Sequence, residues 1–138
     1  MPNLNTREEI MSSAGMKEIY NIEYPGYQPD EEVISELKTL IKNKKITIVL
    51  GLWCGDSKLQ VPRFYKIMDE VGMEENEVTL ICVDELKQAK NGLIVDLDID
   101  RIPVFIFTEN DREIGRITES PANTLENDMV KILTKKIK

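Results

Sequence analysis

Cys54 has the clearest capacity for chemistry in this sequence. It lies between Gly51 and Gly55, after a short apolar, β-branched run at residues 46–50 and just before a helical pattern that begins near Ser57. Backbone N–H groups in the first turn of a helix have no partner within it, and with the helix dipole they favour an anion. A thiolate is such an anion, so this position predicts a nucleophilic sulfur with a pKa below about 8.5. The alternative is a buried, inert cysteine, but the flanking glycines favour a reactive cysteine.

The composition excludes most other kinds of catalytic site. The 138 residues contain no histidine, so no Ser-His-Asp or Cys-His pair can form and no histidine can bind a metal. Two cysteines about thirty residues apart make no disulfide framework and cannot alone complete a tetrahedral zinc site. Neither glycine-rich phosphate-binding motif is present, and the acidic run at residues 96–100 lacks the glycine and final glutamate of a calcium loop. We therefore expect no metal and no cofactor.

The charge and hydropathy patterns restrict the partners and the location. A net charge of −7 and a pI near 4.7 argue against binding to nucleic acid or to an anionic membrane. No apolar run approaches the length of a membrane span, and the N-terminus has no positive region followed by a hydrophobic one. We expect a cytoplasmic protein whose partners are neither nucleic acids nor membranes.

The hydrophobic pattern predicts a single α/β domain over residues 1–138, of which residues 1–29 form a helical extension and a connector. Residues 1–20 predict one helix, and the proline- and glycine-containing stretch 24–29 predicts a turn-rich connector. Its two tyrosines are expected to pack beneath it, and the alternative is that they line an accessory surface. A strand at 46–50, the helix after Cys54 and a strand at 77–84 predict a parallel βαβ unit. The other predicted elements are helices at 30–42, about 85–90 and from Thr124 onward, and an antiparallel pair of strands at 101–108 and 113–118 joined by a turn at 110–111.

The residues around Cys54 resemble the active site of the thioredoxin superfamily. Trp53, Cys54 and Gly55, followed by Lys58, are similar to the family's WCGxxK motif, and Pro62 matches the proline that kinks its active-site helix. Ile102-Pro103-Val104 resembles the cis-proline loop that faces the active cysteine. The resemblance covers about residue 30 to the C-terminus. It implies a thioredoxin-like fold, with a central mixed sheet of four to five strands flanked by helices and an extra N-terminal helix.

Two positions depart from the pattern of the dithiol members of this family. Those members carry a second cysteine three residues after the first, where this chain has Ser57, so the usual internal disulfide cannot form. Many thioredoxins also carry a buried aspartate six residues before the cysteine, where this chain has Ile48. Cys82, near the end of a predicted strand, is a candidate resolving thiol, although a buried structural cysteine is the expected role for that position.

The resemblance, with these departures, implies a thiol redox protein that uses the single catalytic cysteine Cys54 in a C-x-x-S site. Mixed disulfides would form with protein or low-molecular-weight thiols. The substrate-binding residues would be Trp53, Gly55, Asp56, Ser57, Ile102 and Pro103, and the backbone beside the proline would pair with an extended peptide.

Two other hypotheses remain beside the monothiol one. A non-catalytic binding module would keep the same groove to recognise an extended peptide or a partner protein. An iron–sulfur or glutathione protein like the monothiol glutaredoxins would also have a site that ends in serine, but Trp53 and Pro62 fit the thioredoxin pattern better.

Overall fold

The computed structural model describes residues 4–5, 7–51, 55–82, 101–110, 112–121 and 123–134. The strands in these ranges are β1 (Leu4–Asn5), β2 (Lys45–Leu50), β3 (Val78–Cys82), β4 (Val104–Glu109) and β5 (Arg112–Thr118). The α-helices are α1 (Arg7–Met11), α2 (Ala14–Gly26), α3 (Glu31–Leu40), α4 (Gly55–Val71) and α5 (Leu125–Leu133), and a short 3-10 helix (Glu75–Glu77) precedes β3. The helix predicted at 85–90 lies outside the described residues.

The strands form one mixed sheet in the order β1-β3-β2-β4-β5. β2 and β3 are parallel, as expected for two strands joined by the crossover helix α4, and β4 runs antiparallel to both β2 and β5. The predicted mixed sheet of four to five strands flanked by helices is confirmed. Asn110, with a φ of 53°, lies in the predicted turn between β4 and β5.

β2 is buried on both faces of the sheet, as its continuous apolar run predicted. Ile46, Ile48 and Leu50 share one face and belong to a core cluster that also contains residues of α3, α4 and α5. Val49, which points to the opposite face, is also completely buried. A strand buried on both sides favours consecutive apolar residues, and Ile48, Val49 and Leu50 form such a run at the end of β2 that leads to the candidate site.

Local signals fix the ends of three helices. The Asp30 side chain accepts a hydrogen bond from the Glu32 N–H at 2.9 Å and caps α3. The Thr124 hydroxyl accepts one from the Asn127 N–H at 3.1 Å and caps α5, as predicted. Gly72 has a φ of 80° directly after α4, a conformation that glycine adopts without strain, and this ends the helix where the sequence suggested.

The prediction of one helix over residues 1–20 is wrong. The structure has α1, a break at Ser12 and Ser13, and then α2, which continues through Pro25 to Gly26 over part of the predicted connector. At the break the Ser12 hydroxyl donates to the Glu8 carbonyl at 2.8 Å and the Ser13 hydroxyl donates to the Ile10 carbonyl at 2.9 Å. Serine hydroxyls that bond locally to the backbone compete with the helix in this way.

Arg7 connects this N-terminal region to α4. Its guanidinium donates to both carboxylate oxygens of Asp69, at 2.8 Å and 2.6 Å, and lies 4.1 Å from the centroid of the Tyr65 ring. The Tyr24 hydroxyl also donates to Asp69, and its ring stacks on that of Tyr20 with centroids 5.3 Å apart. The N-terminal helices therefore pack directly on the helix that follows Cys54, and Tyr24 packs within the domain, as predicted.

We expect Asp69→Asn to reduce the free energy of unfolding, because the variant loses the paired, charged carboxylate. The loss should be only about 1–2 kcal/mol at pH 7, since this carboxylate is partly exposed and solvent screens its charge. Burial favours a higher pKa for Asp69, but hydrogen bonds from Arg7 and Tyr24 outweigh it and hold the pKa below its usual value. The stabilisation is therefore complete above the unfolded-state pKa of about 3.9 and is lost as the pH falls through the lower folded-state pKa.

Urea unfolding of wild type and Asp69→Asn at pH 7 and near pH 3 measures this dependence. The difference in unfolding free energy between the two proteins should shrink at the lower pH. Glu70→Gln, a charge-neutralising change at an exposed neighbour on the same helix, is the matched control and should have little effect. A difference for Asp69→Asn that is equal at both pH values would contradict the assignment.

Candidate active site

The described parts of the predicted active site are the first turn of α4 and the loop that contains Ile102 and Pro103. The helix begins at Gly55, two residues before the predicted start, and its first turn contains Asp56. Gly55 and Asp56 are exposed, whereas Ser57 is completely buried. The predicted catalytic residue Cys54 and the predicted substrate-binding residue Trp53 lie outside the described residues, so their roles stay predictions.

Ser57 joins the two elements on either side of Cys54 in the chain. The Gly51 N–H, directly after β2, donates to the Ser57 Oγ at 3.2 Å, and this hydrogen bond is buried. The structure thus places Ser57 inside the strand-to-helix corner rather than on its surface. The sequence identified Ser57 as the residue that replaces a thiol, but it did not predict the hydrogen bond between Ser57 and Gly51.

Packing along α4 holds the corner against the sheet. The Phe64 ring is completely buried and stacks on Phe105 of β4, with centroids 4.6 Å apart. Pro62 is also buried and lies within the helix, at the position that the resemblance indicated. The helix that follows Cys54 is therefore fixed directly to the strand that follows Pro103.

Pro103 lies at the same end of the sheet as this corner. The peptide bond between Ile102 and Pro103 is cis, Ile102 is only 4% exposed, and Pro103 is buried. Val49 pairs with Val104 across the two antiparallel strands, so the chain enters β4 at Pro103 beside the point where β2 leads into Gly51. The Pro103 carbonyl accepts a hydrogen bond from the Glu119 N–H at 2.7 Å. The fold thus brings together three of the predicted segments: the end of β2, the start of α4 and the proline loop.

An ion pair beside the proline loop was not anticipated from the sequence. Arg101 donates to Glu119 at 3.1 Å, and the Arg101 side chain is 71% exposed. The hairpin register pairs Val104 with Thr118, and the Glu119 N–H bonds to the Pro103 carbonyl, so Arg101 reaches Glu119 diagonally, just beyond the paired residues of β4 and β5. The sequence does not reveal this contact, because it depends on the register that the hairpin adopts.

Cys82 is poorly suited to attack a disulfide. It pairs with Leu50 in the parallel register of β2 and β3 and is partly buried. Burial, with a smaller contribution from the negative charge of Glu9, raises the pKa of the Cys82 thiol to about 11. Because the thiolate is the nucleophilic form, a thiol that stays protonated at neutral pH reacts slowly.

Ile48 stands at the position of the buried aspartate in many thioredoxins. It is completely buried and pairs with Leu80 and Phe105 on the neighbouring strands.

Among the described residues, no three histidine, cysteine or acidic side chains are grouped closely enough to hold a metal ion. In the same part of the chain, no helix has the length and apolar character needed to cross a membrane.

Comparisons with known proteins place the chain in a family. A family model described as "Thioredoxin" matches residues 4–133. A protein of unknown function from Pseudomonas aeruginosa is similar in structure, with a TM-score of 0.59 and 12% identity over 94% of this chain and 95% of that one. No curated protein sequence matches.

Two solved thioredoxins are also similar to the chain. Oxidised mitochondrial thioredoxin 3 from Saccharomyces cerevisiae has a TM-score of 0.45 and 19% identity over 71% of this chain and 85% of its own. Thioredoxin from Aeropyrum pernix has a TM-score of 0.47 and 13% identity over 72% and 82%. Because the family model spans nearly the whole chain, the protein belongs to the thioredoxin family.

Proposed function

We propose that this protein exchanges thiols and disulfides through the single cysteine Cys54, forming mixed disulfides with protein or low-molecular-weight thiols. The observation that carries the proposal is Ser57, which is completely buried in the first turn of α4 at the position of the second cysteine in a dithiol thioredoxin. A hydroxyl cannot form a disulfide, so no thiol at that position can resolve a mixed disulfide on Cys54.

The exchange proceeds in two balanced steps. The Cys54 thiolate attacks one sulfur of a partner disulfide, forms a mixed disulfide and releases the other partner sulfur as a thiolate. An external thiolate then attacks the partner sulfur of the mixed disulfide, which forms a new partner disulfide and returns Cys54 as a thiolate. The raised pKa of Cys82 supports this external step, because at neutral pH that thiol is almost entirely protonated.

The start of α4 supports an ionised Cys54. The helix begins at the next residue, and the backbone N–H groups of its first turn, with the helix dipole, stabilise a nearby negative charge. The exposed residues Gly55 and Asp56, together with Trp53, would meet the substrate. Ile102 and Pro103 are buried, so they would contribute the backbone of their loop, which would pair with an extended peptide. We place the exchange in the cytoplasm, where reducing conditions keep both cysteines as thiols and supply the external thiol.

The test is the rate of alkylation of Cys54 as a function of pH, followed by peptide mass spectrometry. We expect a midpoint near or below pH 7, compared with about 8.5 for an ordinary cysteine. Incubation with glutathione disulfide should add one glutathione to wild type and to Cys82→Ala, but none to Cys54→Ala. Reduction of an insulin disulfide at the rate of a dithiol thioredoxin would overturn the monothiol mechanism.

A second candidate function is a non-catalytic module that recognises an extended peptide or partner protein. Asp56 favours it, because an exposed carboxylate two residues from Cys54 opposes ionisation of the thiol. A Cys54 midpoint of about 8.5 or above, with no mixed disulfide, would support the binding module.

A further inference from the structure

We propose that Ser57 is the positioning residue of the corner that carries Cys54, and that its oxygen is required there as a hydrogen-bond acceptor. The inference rests on the proposed function for the effect on Cys54, whereas the hydrogen bond itself is independent of that function. Ser57 therefore has a structural task of its own, beyond the absence of a second thiol.

The Gly51 N–H needs a hydrogen-bond partner outside the sheet. The paired residues of β2 end at Leu50, which pairs with Cys82 of β3, and Gly51 follows as a buried residue. A buried backbone N–H without a partner costs free energy comparable to a lost hydrogen bond. The Ser57 Oγ, 3.2 Å away, supplies the partner for this donor just past the end of the ladder.

An oxygen at position 57 suits this contact better than a sulfur. Ser57 is completely buried, so water does not compete with its Oγ for the Gly51 N–H. A thiol sulfur is a weaker acceptor than a hydroxyl oxygen. A cysteine at this position would therefore hold the Gly51 N–H less firmly.

Gly51 and Ser57 lie on either side of Cys54 in the sequence, and their hydrogen bond ties the end of β2 to the first turn of α4. The Gly51 end is anchored by β2 at the centre of the sheet, and the Ser57 end by α4 through Phe64 and Phe105. The hydrogen bond thus fixes the N–H groups of the first turn relative to the strand that precedes Cys54, and such groups favour a thiolate.

The experiment compares wild type, Ser57→Ala and Ser57→Cys in their reduced forms, with Ser35→Ala on the exposed face of α3 as the matched control. Two readouts are measured: amide hydrogen exchange at Gly51 and the pH midpoint of Cys54 alkylation. In Ser57→Ala we expect Gly51 exchange to accelerate about two- to tenfold, as for loss of an ordinary hydrogen bond. The Cys54 midpoint should rise by about half a unit to one unit, with an unchanged limiting rate at high pH.

Ser57→Cys and Ser35→Ala should have smaller effects on the two readouts than Ser57→Ala. Ser57→Cys should show intermediate exchange at Gly51, because sulfur accepts weakly, and it also serves as the second variant if Ser57→Ala folds poorly. Ser35→Ala should leave both readouts at their wild-type values.

Each remaining outcome has a distinct meaning. Unchanged Gly51 exchange in Ser57→Ala would overturn the inference. A shifted Cys54 midpoint without faster Gly51 exchange would also overturn it, because Ser57 would then act on the sulfur directly. An ordinary midpoint in wild type would instead refute the proposed function, and Gly51 exchange would still decide whether Ser57 fixes the corner.

Discussion

Phe64→Ala should reduce the free energy of unfolding by about 3–5 kcal/mol, measured by urea or guanidinium denaturation. The Phe64 ring is completely buried, with its centroid 4.6 Å from that of Phe105 and 6.2 Å from that of Phe107. Truncation removes these aromatic contacts and leaves a cavity between α4 and β4, which the packed sheet can fill only in part.

Phe64→Leu is the matched control, because it keeps most of the apolar volume while losing the stacked ring. Its loss should be clearly smaller than that of the alanine variant. A loss below about 1 kcal/mol for Phe64→Ala would show that α4 does not depend on this contact with β4. Because α4 and β4 both lead directly into the candidate site, the same variants also test how firmly that site is supported.

Glu126→Ala should cost about 2–4 kcal/mol, because it leaves two hydrogen-bond donors without their acceptor. The Glu126 side chain lies at the start of α5, and the residue is only 3% exposed. One carboxylate oxygen accepts from the Tyr27 hydroxyl at 2.5 Å, and the other accepts from the Asp30 N–H at 2.9 Å. Glu126 thereby holds the start of α3 and the segment before it against α5.

Glu126→Gln is the control that keeps one acceptor oxygen, and it should lose clearly less stability than Glu126→Ala. A spectroscopic readout is also available, because burial and the hydrogen bond to Glu126 raise the pKa of the Tyr27 phenol above its ordinary value, while Arg63 opposes the rise. In Glu126→Ala the ultraviolet titration of Tyr27 should therefore move toward lower pH. Equal stability of the alanine and glutamine variants would contradict this account.

The sequence was informative where structure depends on local chemistry. The β-branched run of β2 identified the central strand, and Asp30, Thr124 and Gly72 marked helix ends because capping acts within a few residues. The prediction for the N-terminal region was wrong because the structure there depends on tertiary packing and not on local chemistry. α2 continues through Pro25 because Met16 and Tyr20 are buried in the core, and tertiary packing outweighs the local cost of a proline.

The candidate site could be located from the sequence, but its supporting contacts could not. The sequence identified Ser57 only as the residue that replaces a thiol. Its hydrogen bond from the Gly51 N–H forms only when the strand and the helix have folded together. The Arg101–Glu119 pair likewise depends on the register of the β4–β5 hairpin. Such contacts join residues whose proximity follows from tertiary structure and leaves no periodic signal in the sequence.

The environment of Cys82 has a practical consequence for chemical labelling. Because its pKa is raised to about 11, we expect this thiol to react more slowly with maleimide dyes and spin labels at neutral pH than an ordinary cysteine does. If Cys54 is ionised as proposed, a fluorophore added under mild conditions should attach preferentially at residue 54, which peptide mass spectrometry of the labelled chain would measure.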